Sequence, residues 1–225
     1  GSSPSRATAK GPVVAEPEST REILDSAWGH LPQTRENTAG LGSFTRLRIE
    51  RIIELVVALG SLVLGTQAFL EALRPAQESA EWHVPLMLMT FVPLAAMLVA
   101  CALGRGVRVF AGIFAVIYPL ALMLWPVATA TGEADPTSQP WIWYLVNIAT
   151  LAAVLAFPFP LQIVWTILAP VLFGFVRLLQ GGFAPEFWVA VGLDVSFALI
   201  LGGVLLTLGW LFRAVAAHVD ETRAR

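Results

Sequence analysis

Six apolar runs dominate this chain, at approximately 52–73, 84–103, 109–128, 141–157, 161–179 and 187–212. Each is near the ~20 residues that a helix needs to cross a hydrocarbon core of ~30 Å. The runs fill most of the 225 residues, and only 13% of the chain is charged. A soluble domain carries about 25% charged residues. The expected fold class is therefore all-α: an integral membrane bundle of six transmembrane helices, with the lipid bilayer as its first partner. The fourth run is short and should cross with little tilt.

Residues 1–45 are polar and mix Gly, Pro, Ser and Glu, so they are expected to form a mostly disordered tail. Within them, Ser19 and Glu22 have capping-box spacing, and Ile23, Leu24, Ala27, Trp28 and Leu31 share one helical face. A short amphipathic helix is expected near 19–31. The first apolar run starts about fifty residues in, beyond the place of a secretory signal, and reads as a mature span.

Arginine placement sets the expected orientation. Arg46, Arg48, Arg51, Arg105, Arg108, Arg213, Arg223 and Arg225 fall on one side of a six-span chain, and only Arg74 and Arg177 on the other. Both termini are then cytoplasmic. Trp82, Trp125, Trp141, Trp143 and Trp188 would form the outer interfacial belt, with Trp165 and Trp210 at the inner one. The 46–212 segment is the membrane domain.

Composition excludes several function classes. A net charge of -2 excludes a generally basic nucleic-acid binder. The single cysteine, Cys101, lies in an apolar run, which excludes a disulfide framework and a thiolate metal site. Glu78, Glu81 and His83 cluster before the second span, but their spacing matches no metal motif. No phosphate loop, zinc-protease helix or nucleophile elbow is present, so no catalytic residue and no cofactor is expected.

Polar residues inside the spans are the candidates for a functional site. Asp194 lies about two turns into the sixth span, with Arg177 at the end of the fifth. Asn147 lies at a similar depth in the fourth, and Tyr144 one turn above it. A carboxylate in a membrane helix is costly and faces the bundle interior with a partner. These four residues form the expected polar cluster, either a sensing site or a structural pair. Glu50 and Glu54, one turn apart at the start of the first span, are expected to snorkel or to pair with Arg105 or Arg108. His218 reads as a solvated helix histidine.

The sixth run continues without Gly or Pro through Arg213-Ala-Val-Ala-Ala-His-Val-Asp-Glu-Thr-Arg-Ala-Arg225. Residues 213–225 should therefore begin a cytoplasmic helix. Phe212, Val215 and Val219, spaced three and four apart, could start the apolar seam of a dimeric coiled coil. The stretch Gly209-Trp-Leu-Phe-Arg through Arg225 resembles the membrane exit of actinobacterial sensor histidine kinases with multi-span input regions.

The resemblance implies a membrane-embedded input domain of a two-component system in the bacterial inner membrane. It implies a homodimer, a cytoplasmic kinase module beyond this chain and a response regulator. The family's phosphoacceptor and ATP-binding boxes are absent here, so no catalytic residue carries over. Two other readings remain: a small transporter or channel subunit, or a structural membrane protein acting through partners. The first wants polar residues on several spans, and the inner halves of the second, third, fifth and sixth nearly lack them.

Overall fold

A computed structural model describes residues 1, 43–74, 81–128, 139–182 and 184–225. The island at 19–31, Glu78 and most of the loop at 131–140 lie outside the described residues. Among the described residues the chain is all-helical: α1 (Ser43–Ala72), α2 (His83–Leu103), α3 (Val107–Ala128), a 3-10 turn (Trp141–Leu145) leading into α4 (Val146–Ala156), α5 (Phe159–Gly181) and α6 (Pro185–Arg223). Five of these helices are long and apolar enough to cross a membrane, and Trp141–Ala156 is a shorter apolar helix. The set is compatible with a multi-pass membrane bundle.

The short fourth segment is the centre of the bundle. Every residue from Val146 to Leu155 is buried, and α4 packs against α1, α3, α5 and α6. A helix that is apolar all round is one that is covered all round. Ala149, Ala152 and Ala153 are fully buried and let neighbouring helices approach closely. The initial 3-10 turn also stretches the segment. Five residues at ~2.0 Å and eleven at ~1.5 Å span about 27 Å, close to a ~30 Å core. The hydroxyl of Tyr118 donates to the Ile142 carbonyl at 2.8 Å and satisfies a backbone group in that turn.

The outer helices show the opposite pattern, with large apolar side chains such as Leu59, Val92, Ile113, Val164 and Ile200 exposed along their outward faces. In a bilayer those faces meet lipid. The helix α1 starts well before its apolar run, and α6 is 39 residues long, about 58 Å. Both project beyond the bundle at the arginine-rich end.

Two connections explain how the helices are held in order. Between α2 and α3, Gly104 and Gly106 take φ of 68° and 66°, a left-handed backbone that side chains disfavour. Across from this turn, Arg51 of α1 donates to the carbonyls of Cys101 and Ala102, the second at 2.9 Å, and pairs with Glu54 at 3.1 Å. These carbonyls belong to the last turn of α2, where no intrahelical donor remains. Between α4 and α5, Phe157 and Pro158 are extended, and Pro160 sits in the first turn of α5. There Gln162 donates its amide to Phe157 O at 2.8 Å and Val154 O at 3.3 Å, closing the end of α4.

Replacing Arg51 with Met should leave the Cys101 and Ala102 carbonyls without their side-chain donor and Glu54 without its partner. The expected loss is about 2 kcal/mol, since hydrogen bonds to a charged group contribute ~1.5–3 kcal/mol. Thermal unfolding in detergent checks this, and Arg51→Lys should recover only part of the loss because one ammonium cannot reproduce the guanidinium fork.

Candidate functional site

At the arginine-rich end, two charged side chains meet across the bundle. Nε and Nη2 of Arg213 donate to the two carboxylate oxygens of Glu50 at 2.8 and 3.2 Å. This fork joins the first and last helices of the bundle, and Arg213 is only 14% exposed. Two-point geometry fixes direction as well as distance. The expected pairing of Glu50 and Glu54 with Arg105 or Arg108 is corrected here: Glu54 is held by Arg51 and Glu50 by Arg213. The pairing follows from α1 and α6 running antiparallel past one another, which brings residues far apart in sequence to one level.

Past that fork, α6 continues unbroken to Arg223. Phe212 and Val215 are more than half exposed on it, and Val219 is half-buried. Ala216, one residue after Val215, is buried. The expected seam therefore lies along a face of α6 that its own bundle leaves largely uncovered.

The four residues of the expected polar cluster are spread over separate contacts. Asp194 Oδ1 accepts from Gln139 Nε2 at 2.9 Å in an exposed position. Arg177 is buried, with its guanidinium 5.3 Å from the centre of the Phe187 ring, a favourable cation–π distance. Tyr144 packs edge-on against Trp143 at 5.4 Å. Trp143 stacks on Phe197 of α6 at 5.9 Å. Asn147 is buried in the centre, and its Oδ1 has no hydrogen-bond partner.

Two buried hydroxyls share this state with Asn147. Thr150 Oγ1 and Ser61 Oγ are also buried without a partner. Gly60, next to Ser61, lies against Leu151 of α4. In the rest of the described chain, Thr66, Thr90, Thr166, Thr207 and Thr222 all bond the carbonyl one turn back. Thr150 does not use that local solution, and its hydroxyl is turned toward Gly202 of α6, 3.5 Å from where a Cβ would stand. These oxygens can accept and, for the hydroxyls, donate hydrogen bonds. They form no nucleophile–base pair, and no metal-ligating group of His, Cys, Asp or Glu occurs among the described residues.

Arg51, Gln162 and Thr150 were not legible as partners from sequence. Each is an ordinary helix-surface residue whose role depends on which helix lies opposite. One signal was available for Gln162: it is a lone amide two residues after a proline that ends a hairpin, where the preceding helix leaves carbonyls open.

The two charge arrangements predict different double-mutant behaviour. Glu50→Gln and Arg213→Gln should be coupled by about 1 kcal/mol in detergent unfolding, as a partly exposed two-point pair would be. Asp194→Ala and Arg177→Ala should add independently, with coupling below ~0.5 kcal/mol. A strong Asp194–Arg177 coupling would restore the direct pair.

No family model matches this chain, and no curated protein or solved structure matches it.

Proposed function

We propose that this chain is the membrane-embedded input region of a bacterial sensor histidine kinase. In this reading it has six spans, lies in the cytoplasmic membrane, and has both ends of the chain in the cytoplasm. The observation that carries the proposal is α6. A single 39-residue helix begins at the end rich in tryptophan and passes through the bundle. It is tied to α1 by Arg213 and Glu50, with Phe212 exposed beside that tie and Val215 exposed just beyond it. A rigid helix that starts inside a membrane bundle and leaves it with an apolar face suits mechanical output. Rotation or sliding of such a helix reaches a downstream domain as a change in helix packing.

The orientation rests on arginine. Arg46, Arg48, Arg105, Arg213, Arg223 and Arg225 lie at the end that α1 and α6 overhang, and positive residues stay on the cytoplasmic side. The dimer rests on the seam: Phe212, Val215 and Val219 follow a three–four spacing, and a second copy would cover them. Nothing in the chain performs catalysis in this reading. The kinase module and the response regulator it serves would be partners joined or recruited beyond α6.

Two measurements test the proposal. The gene should read on past the codon for Arg225 into a helix pair with a His-Asp or His-Glu box and an ATP-binding domain. A frame that stops near Arg225 overturns the kinase reading and favours a transport or scaffold role. In a Cys101→Ala background, Val215→Cys should form an intermolecular disulfide when native membranes are treated with a thiol oxidant, and Ala216→Cys, buried within one copy, should not.

A further inference from the structure

At the outer end of the bundle, several helices converge on Trp141. Its indole N–H donates to Nε2 of His83 at 3.1 Å. Trp141 is fully buried and His83 is 2% exposed. Phe91 of α2 stacks on the indole at 5.3 Å, and Trp125 of α3 meets it edge-on at 5.2 Å. Trp125 in turn donates to Gln180 Oε1 of α5 at 2.9 Å. Trp141 is the first residue of the 3-10 turn that leads into α4, so this contact pins the start of the central helix to the start of α2.

The bond has a strict protonation requirement. Indole nitrogen is a donor only, and a histidine nitrogen accepts only when it carries no proton. His83 must therefore be neutral with its proton on Nδ1. An imidazolium carries a proton on both nitrogens, and two N–H groups would then face each other across 3.1 Å. Acid and this hydrogen bond exclude one another. Imidazole is the side chain that ordinarily changes charge between pH ~5 and ~8.

We propose that His83 and Trp141 form a proton-operated latch: acidification outside the membrane protonates His83, releases Trp141 and frees the first turn of the central helix. The latch deepens the sensor reading by naming its stimulus; its link to output and the side from which acid acts rest on that reading. Release at Trp141 has a direct path to α6. One face of α4 carries Thr150, against Gly202, and Val154, 3.0 Å from where a Cβ at Gly209 would stand. A shift of α4 is felt at both glycines and so by the helix that leaves the membrane.

Among the described residues, the other charged groups at this end come from α1, the residues just before α2, α5 and α6. From α1, Glu71 and Arg74 are paired with each other at 3.1 Å. Glu81 lies two residues before His83 on the same segment. From α5, Arg177 lies over the Phe187 ring. From α6 come Glu186, in the first turn, and Asp194, which is bonded to Gln139. The outer halves of α2 and α3 and the 3-10 turn bring no carboxylate, guanidinium or second imidazole. The latch is closed above the titration of the imidazole and opens as pH falls through it.

The test uses the full chain in lipid nanodiscs, with the indole N–H resonances followed by proton–nitrogen correlation between pH ~8 and ~5. Loss of one signal in Trp141→Phe identifies Trp141. In the wild type that signal should move with acid to the position of an unbonded indole. Amide exchange at the start of α4 should then rise about fivefold, the effect of losing one buried hydrogen bond. His83→Gln, whose amide oxygen accepts at any pH, should hold the bonded position throughout. His83→Phe should sit at the unbonded position throughout. A Trp141 signal that ignores pH in the wild type, or follows it equally in His83→Gln, overturns the latch. If Trp141 titrates but the gene ends near Arg225, the sensor reading fails and the latch stands. If the gene continues and Trp141 is silent, only the latch fails.

Discussion

The bundle depends on burying one short helix on all sides. The segment Trp141–Ala156 is the least able to span a bilayer by length, and it is enclosed by α1, α3, α5 and α6. Enclosure removes the need to match lipid thickness. It also allows polar atoms such as Asn147 and Thr150 to exist at that depth, because protein rather than hydrocarbon surrounds them. The cost is that both ends of α4 must have their backbone groups satisfied inside the protein. Tyr118 serves the start through the Ile142 carbonyl, and Gln162 serves the end through Val154 and Phe157. The hairpin at Pro158 and the aromatic packing around Trp141 are the structural forms of that requirement.

The peripheral helices obey a different rule. Their outward faces hold large apolar side chains with nothing to distinguish one from another, since lipid accepts any of them. Order among these helices comes from a few directional contacts near their ends. Arg51 caps α2 from α1, and Arg213 joins α6 to Glu50. Both guanidiniums sit at the same end of the bundle, where water is near enough to lower the cost of a charge. They are buried enough for geometry to matter.

The apolar runs were plain in the sequence because transfer of ~20 residues into hydrocarbon is a property of composition and length. The breaks at Gly104 and Pro158 are of a kind that a sequence shows, because glycine and proline act through the local backbone. The central position of α4 was not, although a hint existed in its length and its Ala149, Ala152 and Ala153. Periodicity cannot distinguish a helix bathed in lipid from one covered by protein, as both are apolar all round. The charge pairs were missed for a related reason. Glu50 was weighed against arginines near in topology, Arg105 and Arg108, while its partner lies 163 residues away on the last helix. Asp194 and Arg177 share a depth, but depth alone does not set the angle at which each side chain leaves its helix. One reaches Gln139 and the other Phe187.

The contact of α6 with α4 and α5 limits how α6 can move. Gly202 and Gly209 lie two turns apart on α6; a Cβ at Gly202 would stand 3.0 Å from Thr166 of α5 and 3.5 Å from Thr150 of α4, and one at Gly209 would stand 3.0 Å from Val154 of α4. Side chains of α4 and α5 therefore pack directly on the α6 backbone along that line. Turning α6 about its axis would bring Leu201, Leu205 or Leu208 into a space that holds no side chain from α6. Such a contact has few intermediate arrangements, because a packed interface resists continuous deformation. On its other side α6 presents Gly192 and Gly203 with open space around them, so lipid or a second copy offers less resistance there. A helix held tightly on one face and loosely on the other should move as a unit. The Arg213–Glu50 fork adds a second restraint: its two hydrogen bonds resist rotation of α6 at one level, and Ala216 is still covered just beyond it.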